Sequence, residues 1–116
     1  MTQLEIKSLW LVSSELYPAD FEQFNESIDI GIGLKNENAS NIYRLNIIAL
    51  KTLETLVNYD NVGTYFRYTL VMKYYDEKII AQHVNKILKT CSIYKEDAAF
   101  NCLKYYLEYE FENEDY

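Results

Sequence analysis

The segment Ile28–Leu34 constrains the fold of this chain more than any other. Isoleucine or leucine stands at every second position, with an aspartate or a glycine between them. Strict alternation of this kind is typical of a β-strand that buries one face. A polar run, residues 35–40, separates it from a second β-like segment, Asn41–Ala49. The sequence therefore predicts a β-hairpin whose loop is longer than a two-residue turn.

Two glycines, Gly31 and Gly33, lie on the face of the first hairpin strand that carries no aliphatic side chain. Glycine weakens the packing of a strand, and inside a strand it usually marks a bend or the close approach of another backbone. We therefore expect one of these two features at the open face of the hairpin.

Two further segments predict strands. Residues 4–12 begin with alternation and end apolar on both faces, as in a strand that becomes more buried along its length. Residues 66–74 alternate throughout, which predicts an interior strand. Between the first strand and the hairpin, residues 13–25 lose the apolar period and predict a loop.

Three segments show the apolar spacing of helices. Residues 50–57 predict a short helix over one face of the hairpin, and residues 77–91 predict a second helix. A third helix is predicted from Ser92, a suitable N-cap residue, to Leu107. Its inward side chains would be Ala98, Ala99, Cys102, Leu103, Tyr106 and Leu107. Residues 108–112 alternate acids with aromatics, and fit either a further strand or the fraying end of a helix.

The order of these elements predicts an α+β fold, a mainly antiparallel sheet of about four strands with helices packed on one face. The chain has 116 residues and contains only three glycines and one proline, too few for a linker. Its 49% hydrophobic residues are enough to offset the entropy of ordering the backbone. We therefore expect a single domain, residues 1–116.

Acidic charge is concentrated in two stretches of a chain whose net charge is −7. Residues 8–34 contain five acids and no lysine or arginine, and so do residues 108–116, whereas residues 61–107 sum to +3. The acid excess argues against nucleic acid and against an anionic membrane as partners. The sequence also has neither a long apolar run nor the pattern of a signal peptide, so we expect a cytoplasmic protein.

Residues suited to catalysis are sparse. His83 is the only histidine, and Cys102 lies on the apolar face of a predicted helix. Gly31–Gly33 lacks the third glycine of a dinucleotide fingerprint, and the acids of residues 20–26 do not have the spacing of a calcium loop. We therefore expect no catalytic, cofactor-binding or metal-binding residue and no cofactor. An enzyme, such as a small hydrolase, is disfavoured.

The two cysteines, Cys91 and Cys102, have a spacing that is compatible with a disulfide. Cytoplasmic thiols are normally kept reduced, however, and the sequence shows no export signal. We therefore expect both thiols to be free.

Aromatic residues are interleaved with the acids in both acidic stretches. This mixture is typical of a protein interface, where aromatic rings supply anchoring area and carboxylates set orientation and association rate. The alternative is that the acids are solvated loop and tail residues that keep the protein soluble. For the interface, the predicted partner-binding residues are Glu15, Asp20, Glu22, Glu26, Asp29 and Glu37.

Two stretches resemble a known family. Ile28–Ile47 is similar to the hairpin of bacterial immunity protein family eight, in which a strand ends in an Ile-Gly pair and a polar loop leads to the next strand. Tyr109–Tyr116 resembles the aromatic-Glu-Phe-Glu-Asp-Tyr ending of that family. This sequence departs from the family pattern at Asn38–Ser40, where a Gly and an Asp are more usual, and at Ala49–Leu50, where a Pro is expected.

The resemblance implies a cytoplasmic immunity protein of a polymorphic-toxin or contact-dependent growth inhibition system, which neutralises a toxin delivered by a neighbouring cell. Many delivered toxins are nucleases with positively charged clefts, so an acidic surface would cover the active site of a basic toxin domain. The alternative is a phage-type inhibitor or nucleic-acid mimic that binds a host nuclease or DNA-binding protein. The sequence leaves the oligomeric state open.

Overall fold

A computed structural model describes residues 2–60 and 67–110 of the chain. The elements follow in the order β1 (Leu4–Leu11), β2 (Asn25–Leu34), β3 (Asn41–Ala49), α1 (Leu50–Asp60), β4 (Thr69–Met72), α2 (Glu77–Cys91), α3 (Glu96–Leu103) and β5 (Glu108–Tyr109). The predicted α+β class is confirmed.

The sheet is built around β3. The strands β1, β2 and β3 form an antiparallel meander, in which each strand pairs with the next one in sequence. On its other edge β3 pairs with β4 in parallel, and with β5 in antiparallel orientation. Parallel neighbours need a crossover connection, and α1 supplies it.

The strand predicted at residues 66–74 is shorter than expected and is not interior. Only Thr69–Met72 pair with β3, and within the described part of the chain β4 has no second neighbour. Tyr68 adopts a left-handed backbone with φ of 54°, which ends the strand on that side. Phe66 lies outside the described residues. Alternation of apolar and polar residues shows that a strand has two different faces, but it does not show how many strands pair with it.

The core lies between one face of the sheet and the helices α2 and α3. Ile28, Ile30 and Ile32 are completely buried there, as their alternation predicted. Ile80 and Val84 of α2 are completely buried against them. Burial of each such side chain stabilises the fold by about 1.5–3 kcal/mol.

Both glycines of β2 lie under close neighbours. A Cβ at Gly33 would collide with the backbone carbonyl oxygen of Ala39, and a Cβ at Gly31 would collide with the Ser8 hydroxyl. The predicted close approach of a backbone is therefore confirmed at Gly33. The hairpin loop folds back over the open face of the sheet at this point.

The third helix has other bounds than predicted. Ser92 ends α2 as its C-cap, since its N–H donates to the Leu88 carbonyl at 2.9 Å, and it is not an N-cap. Ala99, Leu103 and Leu107 are buried as predicted, and Cys102 is half-buried. The inward positions assigned to Ala98 and Tyr106 are wrong, because both are exposed. Tyr106 follows the end of α3, so helical spacing no longer fixes its direction.

The expectation of two free thiols is also wrong. Cys91 and Cys102 are joined by a disulfide, and their Cα atoms lie 5.5 Å apart. Such a Cα distance suits the bond. Cys91 is the last residue of α2 and Cys102 belongs to α3, so the two thiols meet because α3 packs back against the end of α2.

A candidate protein-binding surface

The six predicted partner-binding acids do not form one patch. Glu15, Asp20 and Glu22 are exposed in the β1–β2 loop, residues 12–24. Glu37 is exposed in the hairpin loop, at the other end of β2. Since β2 has 10 residues, at about 3.3 Å per residue the two ends are roughly 30 Å apart. The acids therefore lie on two separate surfaces of the protein.

The two acids on β2 face opposite sides of the sheet. Glu26 pairs in register with Ile47 and is half-buried at the margin of the core face. Asp29 lies on the open face, where its carboxylate accepts hydrogen bonds from Arg44 at 2.9 and 3.3 Å. The charge of Asp29 is thus largely matched within the protein.

Arg44 stands where the two acidic stretches meet. In β3 it pairs in register with Asp29 of β2 and with Glu108 of β5. The hydrogen bond to Asp29 raises the pKa of Arg44 further above its usual value, and the negative charges of Glu108 and Glu110 act in the same direction. Trp10, opposite Asp29 in β1, is 41% exposed and extends this row across the open face.

The β1–β2 loop also exposes large apolar side chains beside its acids. Leu16 is 86% exposed, Tyr17 56% and Phe21 46%. The interleaving of aromatics with acids indicated such a surface, but Leu16 was missed, because a leucine next to an acid gives no signal of its own. Exposed apolar groups within a polar rim are typical of interaction sites.

A series of aromatic contacts anchors the loop to the body of the protein. The ring of Phe21 packs edge to face against Tyr17, with centroids 5.4 Å apart, and against Tyr75 at 5.5 Å. Phe24 packs on the other side of Tyr75. Such pairs contribute about 0.5–1.5 kcal/mol each beyond their buried area. The Tyr75 N–H also donates to the Phe21 carbonyl at 2.7 Å.

Asp20 stabilises the backbone of the same loop. One of its carboxylate oxygens accepts hydrogen bonds from the backbone N–H groups of Glu22 and Gln23, at 2.8 and 3.1 Å. This Asx-type turn fixes the backbone just before Phe24 enters the core. The loop is therefore preorganised, which lowers the entropy that binding has to overcome.

Glu15 and Glu22 keep their charges accessible to a partner. Both residues are exposed, and the carboxylate of Glu22 lies 3.7 Å from the ammonium of Lys51. Both side chains of this pair are more than 60% exposed. An ion pair in such a position is screened by water and contributes little.

Possible metal ligands are scattered over the described part of the chain. Among residues 2–60 and 67–110, no group of three or more His, Cys, Asp or Glu side chains could hold a metal ion. His83 lies on α2, where burial, with a smaller contribution from Lys86, lowers its pKa. None of the helices in the described ranges is long and apolar enough to cross a membrane.

The family model described as immunity protein 8 matches residues 4–116, which is essentially the whole chain. Neither the curated proteins nor the solved structures contain a match. The match spans both the hairpin and the acidic C-terminal stretch, and the chain therefore belongs to the immunity protein 8 family.

Proposed function

We propose that this chain is an immunity protein that binds one cognate toxin domain and neutralises it without catalysing a reaction. The family match over residues 4–116 is the observation that carries the proposal. The protein would act in the cell that makes it, against a toxin delivered by contact with a neighbour. Its task is then tight and selective binding.

The toxin domain that fits best is basic, and a nuclease is its most suitable class. A nuclease cleft holds phosphate with positive charge, and this chain has a net charge of −7. The carboxylates of Glu15 and Glu22 would lie over such a cleft and exclude its substrate. Complementary charge also accelerates association and disfavours wrong partners.

The apolar side chains of the β1–β2 loop would slow the dissociation of the complex. Leu16 and Tyr17 are the most exposed apolar side chains of this loop, and in the chain they follow Glu15 and precede Asp20. Apolar anchors that fill a desolvated pocket dominate binding energy and slow dissociation. We therefore propose that the acids orient the partner and set the association rate. Leu16 and Tyr17 would set the lifetime of the complex.

The test compares two charge-reversed variants against the toxin domain encoded beside this gene. The first carries Glu15→Lys with Glu22→Lys, which leaves the turn made by Asp20 intact. The control carries Glu37→Lys with Glu54→Lys, exposed acids outside this loop, and has the same net charge. We expect the first variant to associate about tenfold more slowly, and the control to associate like the parent.

Salt provides a second readout in the same experiment. The association rate of the parent should fall as ionic strength rises through about 0.1 M, where the Debye length is about 10 Å. The loop variant should show a weaker salt dependence. Equal association of the loop variant and the control would contradict the assignment to the loop, and absence of any complex would contradict the proposed function.

A further inference from the structure

A polar cleft lies between α3 and the edge of β3 with which β5 pairs. Its volume is about 490 Å³, within the range of about 300–1,000 Å³ that is usual for small-molecule sites. The strands contribute Asn41, Tyr43 and Tyr109 to its lining. The helix α3 and the residue that follows it contribute Glu96, Asp97, Phe100, Asn101 and Lys104. None of the described residues that line the cleft belongs to the β1–β2 loop.

One buried polar atom at this cleft has no partner. Tyr43 is completely buried, and its hydroxyl makes no hydrogen bond in the part of the chain that the structure describes. Burial raises the pKa of this phenol, and the nearby side chain of Asn41 lowers it in part. The two side chains do not reach hydrogen-bond geometry, however. A buried polar group without a partner costs free energy, so a ligand that hydrogen-bonds to this hydroxyl is favoured.

The charges of the lining favour a cation. Residues 77–107 contain five lysines and three acids, but the cleft itself is lined by the carboxylates of Glu96 and Asp97 and by one ammonium, that of Lys104. Both acids are exposed in the first turn of α3. The ammonium of Lys104 lies 4.9 Å from the centre of the Tyr109 ring. At such a distance the ring attracts a cation, and the aromatic wall of the cleft therefore suits a positive group.

We propose that this cleft binds the guanidinium group of an arginine side chain. A guanidinium is planar and has five N–H donors, so it stacks on an aromatic ring and hydrogen-bonds to several acceptors at once. The cleft offers both kinds of partner, which are the rings of Phe100 and Tyr109, the carboxylates of Glu96 and Asp97, and the hydroxyl of Tyr43. A lysine ammonium has three donors and no planar surface, and it fits this lining less well.

Two side chains of the cleft would move when the ligand binds. Asn41 is half-buried beside the phenol of Tyr43, and the guanidinium would reach the hydroxyl by displacing the Asn41 side chain. Lys104 is half-buried as well. A second cation at the Tyr109 ring would repel its ammonium towards water. Replacing Lys104 by a neutral residue should therefore strengthen binding.

Titration of the intact ¹⁵N-labelled protein with N-acetyl-L-argininamide tests this proposal. At constant ionic strength and up to about 50 mM ligand, we expect saturable shifts of the amide signals of Tyr43 and Phe100. The control ligand is N-acetyl-L-citrullinamide, which has nearly the same shape and no charge. It should bind at least about tenfold more weakly, because its hydrogen bonds to the carboxylates lose the charge of the donor. Equal binding of the two ligands would overturn the proposal, and so would the absence of shifts at the cleft.

Three variants test the role of single side chains. Glu96→Gln should weaken binding of N-acetyl-L-argininamide about three- to tenfold. Its control is Glu54→Gln, which removes an exposed carboxylate of α1 and should leave binding unchanged. Lys104→Gln should strengthen binding, an effect that a loss of folding cannot produce. Equal affinities of the Glu96→Gln and Glu54→Gln variants would overturn the assignment to the cleft. Circular dichroism of each variant establishes that it is folded.

A complex with the toxin domain identifies the source of the guanidinium. If an arginine of the toxin enters the cleft, Glu96→Gln should accelerate dissociation of the complex, and N-acetyl-L-argininamide should compete with the toxin. Dissociation at the parental rate would assign the site to free arginine. Because the titration contains no toxin, the cleft and the proposed function can fail independently.

Discussion

At the scale of single residues, the close contact at Gly33 limits what this position accepts. The φ of Gly33 is not positive, so the reason for glycine is space and not backbone conformation. A Cβ would meet the backbone carbonyl oxygen of Ala39, which moves only if the hairpin loop moves. We expect Gly33→Ala to destabilise the protein by about 1–3 kcal/mol, measured by urea unfolding. Gly31→Ala is the control, since the Ser8 hydroxyl can rotate away. Equal costs would contradict this account.

Tyr43 gives a second prediction at this scale. Its side chain is completely buried, and burial raises its pKa to about 12. Because the folded pKa lies above the unfolded value of about 10, Tyr43 favours folding fully below pH 10. That contribution is lost as the pH rises from about 10 to about 12. Tyr43→Phe should therefore show a smaller loss of melting temperature over this range than the parent. Identical slopes would mean that the pKa of Tyr43 is the same in the folded and unfolded protein, which would contradict the effect of burial.

At the scale of elements, the adjacent residues Ile79 and Ile80 test which face of α2 is buried. Ile80 is completely buried and Ile79 is 37% exposed. Ile80→Asp buries a charge without a partner, and we expect it to cost about 4 kcal/mol of unfolding free energy. Ile79→Asp should cost much less, because its carboxylate reaches water. Thermal melts of both variants test this, and similar melting temperatures would mean that the helix is turned about its axis.

The disulfide between α2 and α3 should contribute to the stability of the fold, which is the second prediction at the scale of elements. Closing so short a loop stabilises a fold by about 3 kcal/mol in the chain-entropy description. We expect no reactive thiol in the denatured protein without reductant. Cys102→Ala should lower the melting temperature as much as reduction of the parent does. Two reactive thiols in the purified protein would contradict the bond.

Element boundaries show what a sequence of this kind can predict. The bounds Asn41–Ala49 of β3 were predicted correctly, because a polar run precedes them and helical spacing follows them. The bounds of β4 and α3 were not, because they depend on contacts between distant segments. Tyr68 turns left-handed before β4, and α3 packs back against the end of α2, where the disulfide joins them. Hydrophobic periodicity reflects the local preference of a segment for helix or strand. It carries no information about the backbone of Tyr68 or about the contact between α3 and α2.

At the scale of the whole molecule, topology decides which acids can act together. The sequence showed where Glu15, Asp29 and Glu37 stand in the chain, and that the acids are interleaved with aromatics. It did not show that the loops of Glu15 and Glu37 lie at opposite ends of β2. Nor did it show that Asp29 is matched by Arg44 from the neighbouring strand. These facts follow from strand register, and the candidate surface narrows to the β1–β2 loop for that reason.

The arrangement of strands on β3 also sets an order of folding events. The strands β1, β2 and β3 are consecutive, so loop closure costs them little entropy. By contrast β5, which begins at Glu108, must find a strand that ended at Ala49. We therefore expect the meander in the folding transition state and the docking of β5 after it. Ile30→Val should slow refolding, and Tyr109→Ala, which removes the ring packed on Tyr43, should mainly accelerate unfolding. The edge of β3 is then the last part of the sheet to close and the first to open.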